Sequence, residues 1–476
     1  MPPSGPKYGG GATVSILSPL VLIAMLVALV LILVLPPKYV AGPLIVFSFL
    51  VPFGQQIYVA GVHLFVLRIV VLAAFARAFA TSGDKKPNRL PGGWNGIDTA
   101  FTVCTVVQAA AVVLQYQDSG SLVNQVGFLW DYLPAYFAFR LLLSNREDMY
   151  FALKCLALVT VPIAIGMVIE QRGSTNFFGL LGGVQAIPDV RDGKIRSQGP
   201  FEHSLTAGTF AATLLPALCI LWLHRPSRRI AVVGMAGATL MMLMTNSSTP
   251  MLAYAAGIVG LLCWPVRRWM RRIRQGIVIV LLGLEAVMKA PVWFLIARVD
   301  VTGGSSGYHR AQLVDQCIRH FLDWWLIGVK DPSMWGLDMW DAQNQYVNVA
   351  EAGGLLALIF FILLISRGFG RLGDVRKRSR GDERTAWIAW SLGAALFANV
   401  VGFFGVNYFD QSRMWWFLLL AMISAVAGTG TWTREKSCFP RHGAQAILRG
   451  SRLNPVVAGS DRNALRIQPC RISPRV

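Results

Sequence analysis

Long apolar runs alternate with short basic segments over most of the chain. The first run, from Thr13 to Leu35, contains no charged residue. As a helix rising about 1.5 Å per residue, it is long enough to cross a hydrocarbon core of about 30 Å. Such runs recur to about residue 430 and predict about thirteen helices, at residues 13–35, 40–54, 59–80, 97–115, 122–143, 148–170, 204–224, 230–246, 249–266, 276–296, 344–366, 386–406 and 414–430.

Composition favours a membrane as the place for this apolar surface. Hydrophobic residues make up 54% of the chain and charged residues 14%, whereas soluble domains carry about 25% charged residues. We therefore expect an all-α, polytopic membrane protein of about 12–13 transmembrane helices with two sizeable outer loops. Residues 1–430 form the predicted transmembrane domain, and residues 431–476 form a basic, disordered cytoplasmic tail.

The formal net charge of +20 is concentrated in short blocks between the apolar runs and in the tail. Retention of lysine and arginine on the cytoplasmic side explains this pattern better than binding to nucleic acid does. With these blocks inside, the segments 171–203 and 297–343 become the outer loops. The chain has seven cysteines but no CxxC or HExxH pattern, so neither a metal nor another cofactor is predicted.

The two outer loops carry most of the candidate chemistry. The first contains Arg191 and Arg196, and the second contains Arg298 and Arg310. Guanidinium groups hold phosphate oxygens in bidentate fashion and stay charged, so these four arginines are candidates to bind the diphosphate of a lipid. The alternative is that they pair with acidic residues of the loops, which are Asp192, Asp300 and Asp315.

The same two loops contain three candidates for a general base. His203 and His309 are the histidines closest in sequence to the arginines, and Asp341 lies where the second loop re-enters the membrane. Each could accept a proton from an acceptor hydroxyl group. Asn344 and Tyr346 follow as candidate substrate contacts. Between these groups, an amphipathic helix is predicted around residues 313–325, lying on the membrane surface.

Four ionisable residues fall within the apolar runs. Arg68 is central in its run and needs a partner, because a charge at membrane depth is costly. Arg140 is near a helix end, so its side chain is expected to extend to the inner surface. The other two are the acidic residues Asp98 and Asp131. Asp131 lies in the same predicted helix as Arg140, but nine residues separate them, so the two side chains are not expected to pair.

Several short motifs resemble those of the O-antigen ligase and polysaccharide polymerase superfamily of bacterial envelopes. In layout the resemblance covers about residues 40 to 430. The motifs are Arg196-Ser197-Gln198-Gly199-Pro200-Phe201-Glu202-His203, Thr245-Asn246-Ser247-Ser248-Thr249, Tyr308-His309-Arg310, Trp324-Trp325-Leu326-Ile327-Gly328-Val329, and Asn344-Gln345-Tyr346 with Glu351-Ala352-Gly353-Gly354.

Members of that family are metal-independent transferases that move a glycan from an undecaprenyl-diphosphate carrier to lipid A core or to another glycan. The resemblance implies that Arg196 and Arg310 hold the diphosphate. The family usually places a histidine before the asparagine that opens the late helix, and this chain has none between Met339 and Asn344. The base is therefore open among Asp341, His309 and His203, or the chain lacks transferase activity.

The expected function is glycan transfer, as a ligase or polymerase, at the outer face of a bacterial inner membrane. The expected partners are a lipid-linked glycan, a lipid or glycan acceptor, membrane lipids and other polysaccharide assembly proteins, but no nucleic acid. An exporter of polysaccharide or lipid is the first alternative, and a non-catalytic subunit of an envelope assembly machine is the second. Polar groups gathered in the outer loops rather than along the spans favour the transferase.

Overall fold

The structure, a computed structural model of the chain, describes residues 15–59, 62–81, 90–298, 307–379 and 381–428. The predicted tail at 431–476 lies outside the described residues, and so does Asp300 of the second predicted outer loop. The start of the first predicted helix and part of the basic segment that follows the third one are also outside them.

The described residues fold almost entirely as α-helices, which confirms the all-α class. Two short antiparallel hairpins pair β1 (Gln56–Val59) with β2 (Val62–Phe65) and β3 (Asp189–Arg191) with β4 (Lys194–Arg196). The helices are α1 (Pro19–Val34), α2 (Ala41–Leu50), α3 (Val66–Thr81), α4 (Gly96–Tyr116), α5 (Ser119–Leu142), α6 (Arg146–Gly173), α7 (Ser204–Leu218), α8 (Arg228–Met244), α9 (Ser248–Leu262), α10 (Met270–Val287), α11 (Gly307–Arg319), α12 (Phe321–Trp324), α13 (Gln345–Arg378), α14 (Glu383–Gly402) and α15 (Ser412–Gly428).

Among the described residues, six helical segments are long and apolar enough to cross a membrane. Four of them are α4, α6, α13 and α14, and the other two are α7 and α8 with the short 3-10 turns that extend them. The apolar helices α1, α2, α9 and α15 are shorter. Helices of this length and composition indicate a membrane protein, because a span needs about 20 apolar residues.

The predicted helix at 59–80 begins later than expected. Residues 56–65 form the β1–β2 hairpin instead, in which Gln56 pairs with Phe65 and Tyr58 with His63, and α3 begins only at Val66. Both strands are rich in β-branched and aromatic residues, which suit a strand. A short apolar run of this kind cannot be assigned to helix or strand from periodicity alone.

Helices α11 and α12 occupy the region where the amphipathic helix is predicted. Leu313, Cys317 and Trp324 are buried in a small apolar cluster with Val347 and Ala350 of α13. On the other side, large apolar side chains of the same region are exposed, namely those of Ile318, Phe321, Leu322 and Trp325. One face of the second loop therefore packs on the start of α13.

A break in α13 receives the backbone of the second loop. Gly354 lies inside this helix with φ 69°, and a Cβ built on it would be 2.7 Å from the Leu326 carbonyl oxygen. At the break, Leu355 N donates to Trp325 O at 2.8 Å, and Val329 N donates to Glu351 O at 2.9 Å. The loop is therefore attached to α13 by main-chain hydrogen bonds that require glycine at residue 354.

We predict that Gly354→Ala detaches the second loop from α13. The new methyl group meets a backbone carbonyl that cannot rotate away, and the positive φ adds about 1–3 kcal/mol of strain. Limited proteolysis of the purified protein should then show faster cleavage within residues 307–343, with a lower thermal midpoint. Gly370→Ala is the matched control, because nothing lies within 4 Å of that site on the same helix; an unchanged cleavage pattern for Gly354→Ala contradicts the prediction.

Two ion pairs join helices of the bundle. Arg68 Nε lies 2.7 Å from Asp131 Oδ1, and Arg140 Nε lies 2.9 Å from Asp98 Oδ1. The expectation that Arg140 extends to the surface is wrong, since its side chain and that of Asp98 have 0% exposure. Arg140 also donates to the carbonyl oxygens of Pro91 and Gly93, which compensates for the loss of water.

We predict that Arg140→Ala or Asp98→Ala lowers the free energy of unfolding by about 3–5 kcal/mol, because each leaves one uncompensated buried charge. Reversible unfolding in mixed micelles measures the change. Lys377→Ala is the control, since Lys377 and Asp374 form a pair that is 73% and 60% exposed, and such pairs contribute at most about 1 kcal/mol. Equal losses in the buried and exposed pairs would falsify this assignment.

Candidate anion-binding site

The first and second loops meet where α9 begins and α14 ends. The Asn246 side-chain nitrogen donates to Ile195 O at 2.7 Å, which ties the first loop to the turn before α9. Thr249 Oγ1 donates to Gly405 O at 3.5 Å, which ties α9 to the segment after α14. A Cβ built on Gly405 would lie 3.1 Å from Arg310 Nε of α11. Residues far apart in sequence are therefore gathered at one junction.

Arg196 is anchored at this junction. Its Nε and Nη2 atoms lie 3.2 and 2.5 Å from Ser247 Oγ, and its Nη1 atom lies 3.2 Å from Asp189 Oδ2. Arg196 is buried, whereas the Asp189 side chain is 48% exposed. Burial lowers the pKa of Arg196, and Asp189 only partly opposes this while Arg191 adds to it. The guanidinium is thus fixed in position and incompletely neutralised.

Arg310 is the more isolated charge. It is 7% exposed, and its buried Nε atom has no hydrogen-bond partner among the described residues. Burial, together with the positive charges of Arg191 and Arg196, lowers the pKa of Arg310 to about 10. The side chain still carries its charge at neutral pH, in a setting where an unpaired cation is costly. An anion bound here would remove that cost.

A cavity of about 170 Å³ adjoins Arg310 and the first turn of α9. The N–H groups of a helix N-terminus point outward and carry a partial positive charge, so they favour an anion. The cavity also has largely apolar walls, which lower the local dielectric constant and strengthen electrostatic interactions. Its lining residues are Ser248, Thr249, Leu252, Arg310, Val401, Phe404 and Gly405.

Two of the candidate bases lie close to each other. His309 precedes Arg310 on α11, and its Nε2 atom is 3.4 Å from the backbone oxygen of Asp341. The Asp341 carboxylate accepts a hydrogen bond of 2.5 Å from Gln343 Nε2. The structure therefore places His309 and Asp341 together beside the arginine that faces the cavity.

The third candidate base, His203, has a different setting. It directly precedes α7, is exposed, and makes no side-chain capping bond to that helix. Its ring contacts the edge of Phe409 with the centroids 6.3 Å apart. His203 therefore borders the segment after α14 rather than the His309–Asp341 pair.

Asn344 and Tyr346 hold the start of α13 against the end of α14. The Asn344 side chain accepts from Tyr346 N and Val347 N, and its Nδ2 atom donates to Phe404 O at 3.4 Å. Tyr346 donates its hydroxyl to Val400 O at 3.1 Å. These two predicted substrate contacts thus position a wall of the cavity, since Phe404 lines it.

The remaining two candidate arginines are Arg191 and Arg298. Arg191 ends β3 and is exposed, yet it is near enough to raise the positive potential at both Arg196 and Arg310. Arg298 ends a 3-10 helix, Val292–Arg298, and its side chain lies outside the described residues. Three of the four candidate anion-binding arginines are therefore gathered near one another.

Glu170 was not singled out by the sequence, although it fixes the first loop. This buried carboxylate of α6 accepts from Gln198 N at 3.0 Å and from Gly199 N at 2.9 Å. Both donors lie two to three residues after Arg196, so Glu170 anchors the part of the first loop that carries Arg196. An acidic residue at the end of a long apolar run was the available signal.

No protein-family model matches this sequence, and no curated protein is significantly similar to it. The geometry of the site is therefore the basis for a functional assignment. Within the described part of the chain, no group of three or more His, Cys, Asp or Glu side chains is arranged to hold a metal ion.

We predict that the purified protein binds inorganic pyrophosphate and that Arg310→Ala weakens this binding at least about tenfold. The loss of one charge-assisted hydrogen bond corresponds to about 1.5–3 kcal/mol. Isothermal titration calorimetry measures the affinity at low salt. Arg196→Ala should also weaken binding, because Arg196 contributes to the same positive potential.

The matched control for this titration is Arg319→Ala. Arg319 lies on the same helix as Arg310, but its side chain is 67% exposed and paired with Asp315 at 2.7 Å. Wild-type affinity is expected for this variant. An equal loss in Arg310→Ala and Arg319→Ala would show that only the net charge of the protein matters.

Proposed function

We propose that the chain transfers a glycan from a polyprenyl-diphosphate carrier to a hydroxyl group of a lipid or glycan acceptor. Undecaprenyl diphosphate is the proposed carrier, in keeping with the motifs that resemble O-antigen ligases and polysaccharide polymerases. The observation that carries the proposal is the buried Nε atom of Arg310, which has no partner among the described residues and adjoins a cavity.

A leaving diphosphate accounts for this arrangement better than a neutral ligand does. Arg310 and Arg196 are both buried, and the acidic partner of Arg196 is the half-exposed Asp189. A departing diphosphate gains negative charge as its bond to the sugar breaks. Preorganised cations in an apolar setting stabilise that charge without having to reorganise at the moment of reaction.

The proposed reaction is a single displacement at the anomeric carbon. The acceptor oxygen forms the new bond to this carbon while the bond to the diphosphate oxygen breaks, and the electron pair leaves with the diphosphate. The acceptor proton passes to a base of the protein. The sugar inverts its configuration, and Arg196 and Arg310 hold the diphosphate as it departs.

Of the three candidate bases, His309 has the best-supported position. It is adjacent in sequence to Arg310, and the Asp341 carbonyl at 3.4 Å gives its ring an orientation. Histidine is also suited to accept a proton near neutral pH. Asp341 and His203 remain alternatives, and the same transfer assay distinguishes them.

The proposed place of reaction is the outer face of a bacterial inner membrane. The basic blocks at Arg225–Arg229 and Arg267–Arg274 are assigned to the inner side by the positive-inside rule. Helices α7 and α9 each separate one such block from the arginine junction, so the junction is assigned to the opposite side. The proposal includes the twelve to thirteen transmembrane helices expected from the sequence.

We predict that Arg310→Ala and Arg196→Ala abolish surface glycan in a strain that lacks the native gene, while lipid-linked glycan accumulates. The physical reason is loss of charge stabilisation on the leaving diphosphate, typically worth a factor of 10²–10³ per donor. Membrane levels are checked by immunoblot, and Arg319→Ala is the control variant. His309→Ala should block transfer while leaving pyrophosphate affinity unchanged.

Normal surface glycan with both arginine variants would overturn the transferase proposal and favour an assembly subunit. Lipid-linked glycan that accumulates only on the inner side of the membrane would favour an exporter instead. Protection of the glycan from an enzyme added outside the membrane distinguishes the two sides.

A further inference from the structure

A second cavity, distinct from the anion-binding site, lies inside the helix bundle. It has a volume of about 160 Å³ and is enclosed by α4, α5, α13 and α15, with Phe403 and Tyr408 at one side. It shares no lining residue with the first cavity. Its polar lining is unusual for a space between apolar helices, and comprises Gln108, Asn124, Gln125, Gln345, Asn348 and Arg413.

Five amide side chains line this cavity, and two of them already donate locally: Gln125 Nε2 to Asn124 Oδ1 at 3.0 Å, and Gln108 Nε2 to Cys104 O at 3.4 Å. Gln345 and Asn348 are three residues apart on α13, and Asn124 and Gln125 lie near the start of α5. The Asn348 side chain makes no hydrogen bond to another described residue, whereas Gln345 Oε1 accepts from Tyr408 N at 2.7 Å. Amides both donate and accept, so together they match a ligand rich in hydroxyl groups.

Aromatic rings form the rest of the wall. Trp416 packs against Phe403 with centroids 5.1 Å apart, and Tyr132 packs against Phe417 at 5.1 Å. All four residues line the cavity. The C–H faces of a pyranose ring are apolar and stack on such rings, while its hydroxyl groups point outward to hydrogen-bonding partners. Aromatic rings combined with amides therefore fit a sugar.

The other ligand classes fit less well. An acyl chain offers no hydrogen bond to the amide side chains of this lining. An anion would find one cation, Arg413, whose Nε atom already donates to Asp410 O at 3.4 Å and whose guanidinium lies over the rings of Phe53 and Tyr132.

The two cavities lie back to back. Phe403 and Gln345 line the second cavity, whereas Phe404 lines the first. Gln345 N donates to Phe403 O at 2.8 Å, so the wall between the cavities consists of these neighbouring residues. The linings of the two cavities therefore include neighbouring residues.

We propose that the second cavity is a binding site for one neutral hexose or N-acetylhexosamine ring of a glycan. The choice of a sugar rests on the proposed function, whereas the cavity and its lining do not involve the arginine cluster. The second cavity thus adds a carbohydrate subsite to the anion-binding site. Amides of α4, α5 and α13 and aromatic rings of α5 and α15 form this subsite.

The test is isothermal titration calorimetry of the full-length protein in detergent with neutral hexoses and N-acetylhexosamines. At least one of these sugars should bind saturably to the wild type. Asn348→Leu and Gln108→Leu should each weaken binding about three- to tenfold, as expected for one neutral hydrogen bond. Gln275→Leu, on the exposed helix α10, is the control, and thermal unfolding verifies that each variant is folded.

Each outcome decides the proposal. If none of the sugars binds while pyrophosphate does, the carbohydrate subsite is overturned and the transferase proposal is unaffected. Sugar binding that is equal in wild type, Asn348→Leu and Gln108→Leu also overturns it, because the ligand then sits elsewhere. Sugar binding that Asn348→Leu weakens and Arg310→Ala does not supports the subsite, even if the arginine variants later prove normal in glycan transfer.

Discussion

The attachment of the second loop to the break in α13 determines where the charged groups of this protein can meet. The hydrogen bonds of Leu355 N to Trp325 O and of Val329 N to Glu351 O hold α12 against α13. Helix α11 follows because Leu313 and Cys317 are buried in the same cluster as Trp324. Arg310, at the other end of α11, is thereby held against Gly405 and the start of α9. The position of one cation thus depends on the backbone conformation at Gly354.

The first loop is fixed by a different means. Glu170 accepts from the backbone N–H groups of Gln198 and Gly199, just beyond Arg196, and Ser247 accepts from the Arg196 guanidinium itself. A carboxylate in an apolar helix is thus compensated by hydrogen bonds of the loop it orders. Arg196 is in this way positioned by the buried residues Ser247 and Glu170, and such fixed positioning is what preorganised electrostatic stabilisation requires.

How far the sequence predicts this structure depends on the range of the interaction involved. Apolar runs predict helices such as α4 and α14 to within a few residues, because lipid and core both select for apolar side chains along a whole span. The hairpin at 56–65 is missed, since a short apolar run fits either element. Arg140 is misjudged because its partner, Asp98, is on another helix and only packing brings them together.

The candidate site, too, is predictable from the sequence only in part. That arginines of two loops approach each other is an expectation from sequence, and Arg196 and Arg310 do lie near enough to shift the pKa of Arg310. Which groups position them could not be predicted, because Glu170, Ser247 and Gly405 have no special sequence signal of their own. The second cavity is beyond sequence analysis altogether, since its amides come from three helices whose order in space is set by packing.

The cost of burying Arg310 links the stability of the fold to its proposed chemistry. A cation in an apolar setting without a partner destabilises the folded state by several kcal/mol unless other contacts offset it. In this chain the apolar bundle provides those contacts, since residues such as Phe210, Trp415 and Leu418 are fully buried. An anion in the first cavity reduces that cost in proportion to its charge. In the proposed reaction, the cation that destabilises the protein without a bound anion is therefore the one that would favour a diphosphate most strongly, and more so as the charge on the leaving oxygen grows.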